Sequence, residues 1–443
     1  MTTTGPTRST PVPARPPRPR HPGAALLLGT LLLACGSAPG GPGTPPGGQT
    51  GTLTLSVERL PVAGEPPQPG TLRLRATPPA GVSVTVEGAP PGLYLTPGPP
   101  AAEGSDTVVA LNPQGQSGGP VTLRVTAPTG TARLSVPVLA QRRWRIPAAT
   151  PYLAAAALPT PEGRLLLRAP ANAEATLRHT LLRFDPAQGD WATLAFGLQG
   201  FEAITSHAAR GAEVWAAVRG VTAAGSFLVR RSETGDLTRF LAGTPETLNH
   251  LTPTPDGRLW FLAYGQPRLL ALDPGTGAVS SLPTDGVPET LVALDSATLA
   301  YTRRGAAPAV VTVHVPSGAA RTFAVGTANV SVPDLLTPAP DGTLWFAETR
   351  TGAVSNLDPR TGAARTLTLP AGTRPGALAV APDGTLWVAD PTRGTLLRVA
   401  PGASTGALVA LPPGTPAGPR ALTVTPDGVV WFETGGQWVR MSG

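Results

Sequence analysis

The sequence contains no lysine: all 34 of its basic residues are arginine. Schiff-base chemistry and a phosphate-binding P-loop, both of which need a lysine ammonium, are therefore excluded. A single cysteine, Cys35, excludes an internal disulfide framework and a cysteine-built zinc site. Charge is sparse, at 14 % of residues, and no apolar run reaches the roughly 18 residues needed for a membrane-spanning helix. What is plentiful is glycine and proline, 53 and 55 of 443 residues, so a mostly helical chain is excluded as well. Because 41 % of the residues are hydrophobic, the breakers punctuate regular structure and do not signal wholesale disorder.

The first segment reads as an address. Arg8, Arg15, Arg18 and Arg20 precede the apolar stretch AALLLGTLLLA, with no acid among them. This is the layout of a secretory signal, positive and then apolar. The stretch ends in Leu32-Leu33-Ala34-Cys35, which resembles the bacterial lipobox, in which the cysteine sulfur is lipidated after cleavage. Cys35 is thus the expected lipidation site, and 1–34 the expected signal peptide. Cleavage there removes four of the seven net positive charges. No arginine cluster interleaved with aromatics remains, so nucleic acid is not an expected partner. The expected location is extracytoplasmic, on an outer membrane or cell surface, since the Gly36 that follows the cysteine does not resemble an inner-membrane retention signal.

Three further segments are distinguished by composition. Residues 35–51 offer almost nothing apolar to bury and read as a flexible, lipid-anchored linker. Residues 52–140 alternate polar and apolar positions in short runs, as in Thr71-Leu72-Arg73-Leu74-Arg75 and Val121-Thr122-Leu123-Arg124-Val125, and resemble an Ig-like β-sandwich. Residues 142–443 carry a repeat. Pro255-Asp256-Gly257, Pro340-Asp341-Gly342, Pro382-Asp383-Gly384 and Pro426-Asp427-Gly428 each lead three residues later into a Trp, and weaker copies occur near residues 163, 211 and 296. Seven units at a spacing of about 44 residues predict a seven-bladed β-propeller, all-β like the domain before it. Too few residues follow Gly428 to complete four strands, so Arg142-Arg143-Trp144-Arg145-Ile146-Pro147 is expected to supply the missing strand and close the ring. A monomer is expected.

The run APDGTLWFAETRTGAVSNLDPRTGAARTLTLP, residues 339–370, resembles the repeat of the virginiamycin B lyase, or streptogramin lyase, family. That resemblance implies a propeller that linearises a cyclic depsipeptide by Mg²⁺-dependent elimination. It also implies an acid–base pair, a His seven residues before the motif Asp and a Glu seven after it. The fifth unit has Glu348 at the Glu position but Asp334 at the His position. In the third unit His250 is one residue out of register, and in the seventh Glu433 comes one residue early. No unit holds both members, so binding of a peptide, protein or envelope ligand is the favoured function, with a lyase as the alternative. If catalysis survives, Glu348 and His250 are its candidates. Asp334, Glu348, Asp390 and Arg303 are the candidate pocket, either holding Mg²⁺ or Ca²⁺ or forming salt bridges between blades, Arg303 with Glu348 above all. The five Trp residues sharing one repeat position, 215, 260, 345, 387 and 431, are expected to be packing residues, and the G-x-S-x-G match at Gly115–Gly119 is ascribed to chance.

Overall fold

The computed structural model describes residues 31–33 and the chain from 53 to 442, apart from residues 65–66, 76–80, 129, 147–155, 170–172, 174, 221–224, 304–306, 326–334, 349, 410 and 412–417. Cys35 and the linker lie outside the described residues, as does Asp334. Helix is confined, among them, to the single turn Ala175–Arg178.

The Pro-Asp-Gly motifs fold as the turns that the repeat requires. In the unit around Asp341 the chain reverses on Gly342, at φ +83°, while Asp341 Oδ1 accepts the Thr343 N–H at 2.9 Å and Gly342 N donates to Ala339 O at 3.0 Å. A positive φ strains every residue with a Cβ, which is why glycine holds this place. Each turn joins a first strand to the buried strand that carries the Trp or its equivalent. A third and a fourth strand follow in antiparallel order. Five such four-stranded sheets succeed one another between Ala156 and Thr366, and the fold is a β-propeller.

Two larger sheets hold the rest of the chain. The strands Ala377–Val380, Leu386–Asp390, Thr395–Val399 and Ala407–Val409 repeat the four-strand order, and the last of them continues in parallel into Leu53–Leu60 through Arg59↔Leu408 and Leu60↔Val409. Leu53–Leu60 heads an antiparallel group with Gly70–Arg75, Asp106–Gly115 and Leu93–Pro97, and it also pairs with Leu31–Leu33. The second large sheet, here called the terminal sheet, runs Arg420–Val424, Val430–Thr434, Gln437–Ser442, Gly130–Arg145, Gly119–Ala127 and Ser83–Gly88. Its central strand, Gly130–Arg145, is 16 residues long. The first half pairs with Gly119–Ala127 and the second, from Ala140 to Arg145, with Gln437–Ser442.

The first strands of successive sheets lie against one another, and Ala156–Pro159 lies against Arg420–Val424. Apolar clusters fill the spaces between neighbouring sheets. One joins Leu165, Leu167 and Phe184 of the first blade to Trp431 and Trp438 of the terminal sheet, with Trp144 packed against it. Another is common to the N-terminal strands and to both large sheets, with Leu72, Val109, Val121 and Leu123 in one cluster with Ala389, Phe432 and Met441. Trp215, Trp260, Trp345, Trp387 and Trp431 are all at most 5 % exposed, buried as packing residues.

Candidate functional site

The Pro-Asp-Gly turn closes one end of each two-strand hairpin, and the candidate residues stand at the open end. Glu348 is the last residue of Leu344–Glu348 and is buried. Its Oε2 accepts the Thr351 hydroxyl at 2.9 Å, and its backbone oxygen accepts Gly352 N–H at 2.8 Å. Asp390 holds the same place in Leu386–Asp390 and is fully buried. A buried carboxylate is costly unless hydrogen-bonded, and here four donors converge on it. Oδ1 accepts from Thr392 N at 3.0 Å, the Thr392 hydroxyl at 2.6 Å and Arg393 N at 3.1 Å, while Oδ2 accepts from Arg374 N at 2.7 Å. Asp390 therefore organises the two loops around it.

Arg303 ends the strand Thr298–Arg303. Its guanidinium pairs with the Asp285 carboxylate through Nη1, which also donates to Asp285 O at 3.0 Å, and Nε donates to Ala307 O at 3.1 Å. The acid facing Arg303 is thus Asp285, which stands outside the repeat landmarks and which the sequence pattern had not singled out. Of the four-residue pocket, Asp334 lies outside the described residues.

The out-of-register residues of the third and seventh units both coincide with backbone irregularities. Pairing slips between Asn249 and Thr252, and His250 has φ +52°. Pairing slips again between Arg420 and Thr423, with Ala421 at φ +47°. A bulge re-aims the side chain it carries, and a left-handed non-glycine residue costs about 1–3 kcal/mol. His250 comes under the influence of Arg168 of the first blade: burial, then that positive charge, pushes its pKa down to about 4. His207, whose Nε2 is 3.3 Å from Leu166 O, is pushed down to about 3 by burial and by the same Arg168. Both imidazoles are neutral at physiological pH.

The bulge at Ala421 also sets Glu433 directly across from Arg420. Glu433 is fully buried; Oε1 accepts Gly436 N–H at 2.7 Å and, among the described residues, Oε2 has no hydrogen-bond partner. Burial raises its pKa to about 7, against the opposing effects of the Gly436 bond and Arg420. Sequence pattern marked this residue only by its misplacement, because a bulge leaves no compositional signature.

The Mg²⁺ implied by the repeat needs several open carboxylate oxygens around one point. The described residues do not fit it. Asp390 spends both oxygens on loop donors, Arg303 brings a positive charge to the same end, and among the described residues no three His, Cys, Asp or Glu side chains converge.

The profile of the virginiamycin B lyase family matches residues 208–441, just over half of the chain. The chain belongs to the virginiamycin B lyase family. Solved structures from the virginiamycin B lyase family share its fold at low identity. A streptogramin B lyase superposes with a TM-score of 0.56 at 16 % identity, covering 69 % of this chain and 97 % of its own. A catalytically inactive virginiamycin B lyase from Staphylococcus aureus, solved with quinupristin, gives 0.57 at 15 %, covering 69 % and 99 %. The same propeller architecture appears in YCF48 bound to a D1 peptide, with a TM-score of 0.53 at 14 %, covering 68 % and 95 %. No curated protein matches the chain.

Proposed function

We propose that the chain is a membrane-anchored, extracytoplasmic lipoprotein whose propeller binds a peptide, protein or envelope ligand. In this reading Cys35 carries the lipid, residues 35–51 are the tether, and residues 52–140 form an Ig-like domain above it. The propeller has seven blades: the five four-stranded sheets, the Ala377–Val409 group, and the terminal sheet closed by the strand ending at Arg145. The antiparallel pairing of Ala140–Arg145 with Gln437–Ser442 supports that closure. The observation that carries binding over catalysis is the fate of the acids at the open end. Asp390 is consumed by four loop donors, and burial, with the positive charge of Arg168, holds the two imidazoles neutral, so neither serves as a cationic acid beside Glu348.

Family membership favours a second reading, a lyase that opens a cyclic depsipeptide or related ester. Mass spectrometry separates the two. Incubated with the protein and Mg²⁺, a type B streptogramin is recovered cyclic if the chain only binds; a linear isomer of unchanged mass, absent with Glu348→Ala, establishes the lyase. The anchor is tested by Cys35→Ala, which moves the protein from the membrane fraction to the soluble one.

A further inference from the structure

At the turn end of the hairpins, opposite Glu348 and Asp390, one row of residues crosses each sheet from the second to the fourth strand. In the fourth blade the row is Ala300, Thr312 and Arg321; in the fifth it is Trp345, Asn356 and Arg365. Both fourth-strand arginines reach the turn of the next sheet. Arg321 Nη1 donates to Pro359 O at 2.6 Å and Arg360 O at 3.0 Å, and Arg365 Nη1 donates to Gly402 O at 3.1 Å and Ala403 O at 3.0 Å.

Elsewhere the row carries its arginine on the third strand, as at Arg183, Arg230 and Arg398, with Ala192, Thr238 and Ala407 opposite, and the terminal sheet combines both patterns. Its row is Trp431, Arg440 and Arg142, so two arginines stand directly opposite each other. Like charges in that relation destabilise a sheet. The Arg142 guanidinium lies over the Trp144 ring at 5.0 Å, while Arg440 donates to the Ser442 hydroxyl at 3.2 Å. Among the described residues no carboxylate pairs with either. Asp185 is held by Arg164 at 3.3 Å and by the Ala187 N–H, and Asp427 by the Thr425 hydroxyl. The third acid, Glu162, is exposed at the rim. Between the terminal sheet and the first blade opens a cavity of about 600 Å³, lined by both arginines, Trp144, Pro161, Pro186 and Pro426.

We propose that this seam binds an acidic peptide, with carboxylates on Arg142 and Arg440 and an apolar side chain against Trp144. The guanidinium fork matches a carboxylate in two parallel hydrogen bonds, and the incoming charge relieves the repulsion within the pair. The proline and indole walls suit a flat or branched side chain, and the volume is that of a small-ligand site. Three neighbouring carboxylates oppose a polyphosphate, which favours the singly charged groups of a peptide. This site is independent of the open end of the hairpins, so either reading fails without the other.

The test is fluorescence anisotropy of the purified full-length protein with a fluorescein-labelled Gly-Glu-Phe-Glu-Gly peptide, beside melting curves. Saturable, salt-sensitive binding is expected, weakened at least tenfold by Arg142→Gln, by Arg440→Gln, or by replacing both glutamates of the peptide with glutamine. Arg142→Gln is expected to melt no lower than the parent. Equal binding by parent and a folded variant, or no saturable binding by the parent, overturns the proposal.

Discussion

Trp144 and Trp438 stand directly opposite each other on the strands Gly130–Arg145 and Gln437–Ser442, about 290 residues apart in sequence. The Trp144 ring also meets Phe184 of the first blade at 5.2 Å and Trp431 at 5.4 Å between centroids. One side chain from the strand Gly130–Arg145 therefore ties the first blade to the terminal sheet. Trp144→Ala is expected to cost about 3 kcal/mol, the low end for a core aromatic because the ring is only half-buried. Urea denaturation followed by circular dichroism measures it.

The buried titratable groups predict opposing pH dependences. His207 and His250 have folded pKa values of about 3 and 4, below the usual 6.5, so the unfolded chain takes up protons first as pH falls. Their stabilising effect is complete above pH 6.5 and is lost on acidification towards pH 4, at no more than about 1.4 kcal/mol per pH unit for each. His250→Gln is expected to reduce that slope by about half in denaturant titrations between pH 6.5 and 4.5.

Glu433 has the opposite sign. Its folded pKa of about 7 is raised above 4.5, so its contribution is fully present below pH 4.5 and disappears as pH rises through 7. Glu433→Gln cannot ionise. The variant is expected to come close to the parent at pH 4 and to exceed it at pH 8, by about 3 kcal/mol. Equal stabilities at pH 8 contradict the buried carboxyl.

Asp390→Asn is expected to destabilise by about 2 kcal/mol, because an amide cannot accept at both atoms and its NH₂ faces a donor, either Arg374 N or the Thr392–Arg393 group. The loss is read from denaturation curves with and without Mg²⁺, and the same loss is expected in both.

The repeat was legible because its turns demand particular residues: Asp341 and Gly342 are tied to their places by a side-chain acceptor and a positive φ. The Trp positions were legible because one repeat position implies one environment. The open end of the hairpins was legible only at Arg303, Glu348 and Asp390, which end their strands. His250 and Ala421 occupy left-handed backbone that glycine usually marks, so nothing in the letters announces the bulges. Asp285, the partner of Arg303, sits between repeat landmarks, where spacing carries no information. The merging of the N-terminal strands with the propeller sheets was equally hidden. Arg59↔Leu408 is a backbone pairing, which any side chain permits.

In the proposed architecture the strand ending at Arg145 closes the propeller and thereby builds the arginine-lined seam. Arg145 and Gln437 are exposed and directly opposite, and the bond from Ile146 N to Gly436 O, 3.2 Å, marks the adjacent pair as the hydrogen-bonded one. Arg145 and Gln437 thus form the close, non-hydrogen-bonded kind of pair, whose Cα separation of roughly 4.5 Å is within disulfide range. Arg145→Cys with Gln437→Cys, in a Cys35→Ala background, is to be oxidised and its free thiols counted. Both thiols are expected to disappear in the folded monomer, and two titratable thiols in a folded, oxidised protein would contradict the closure.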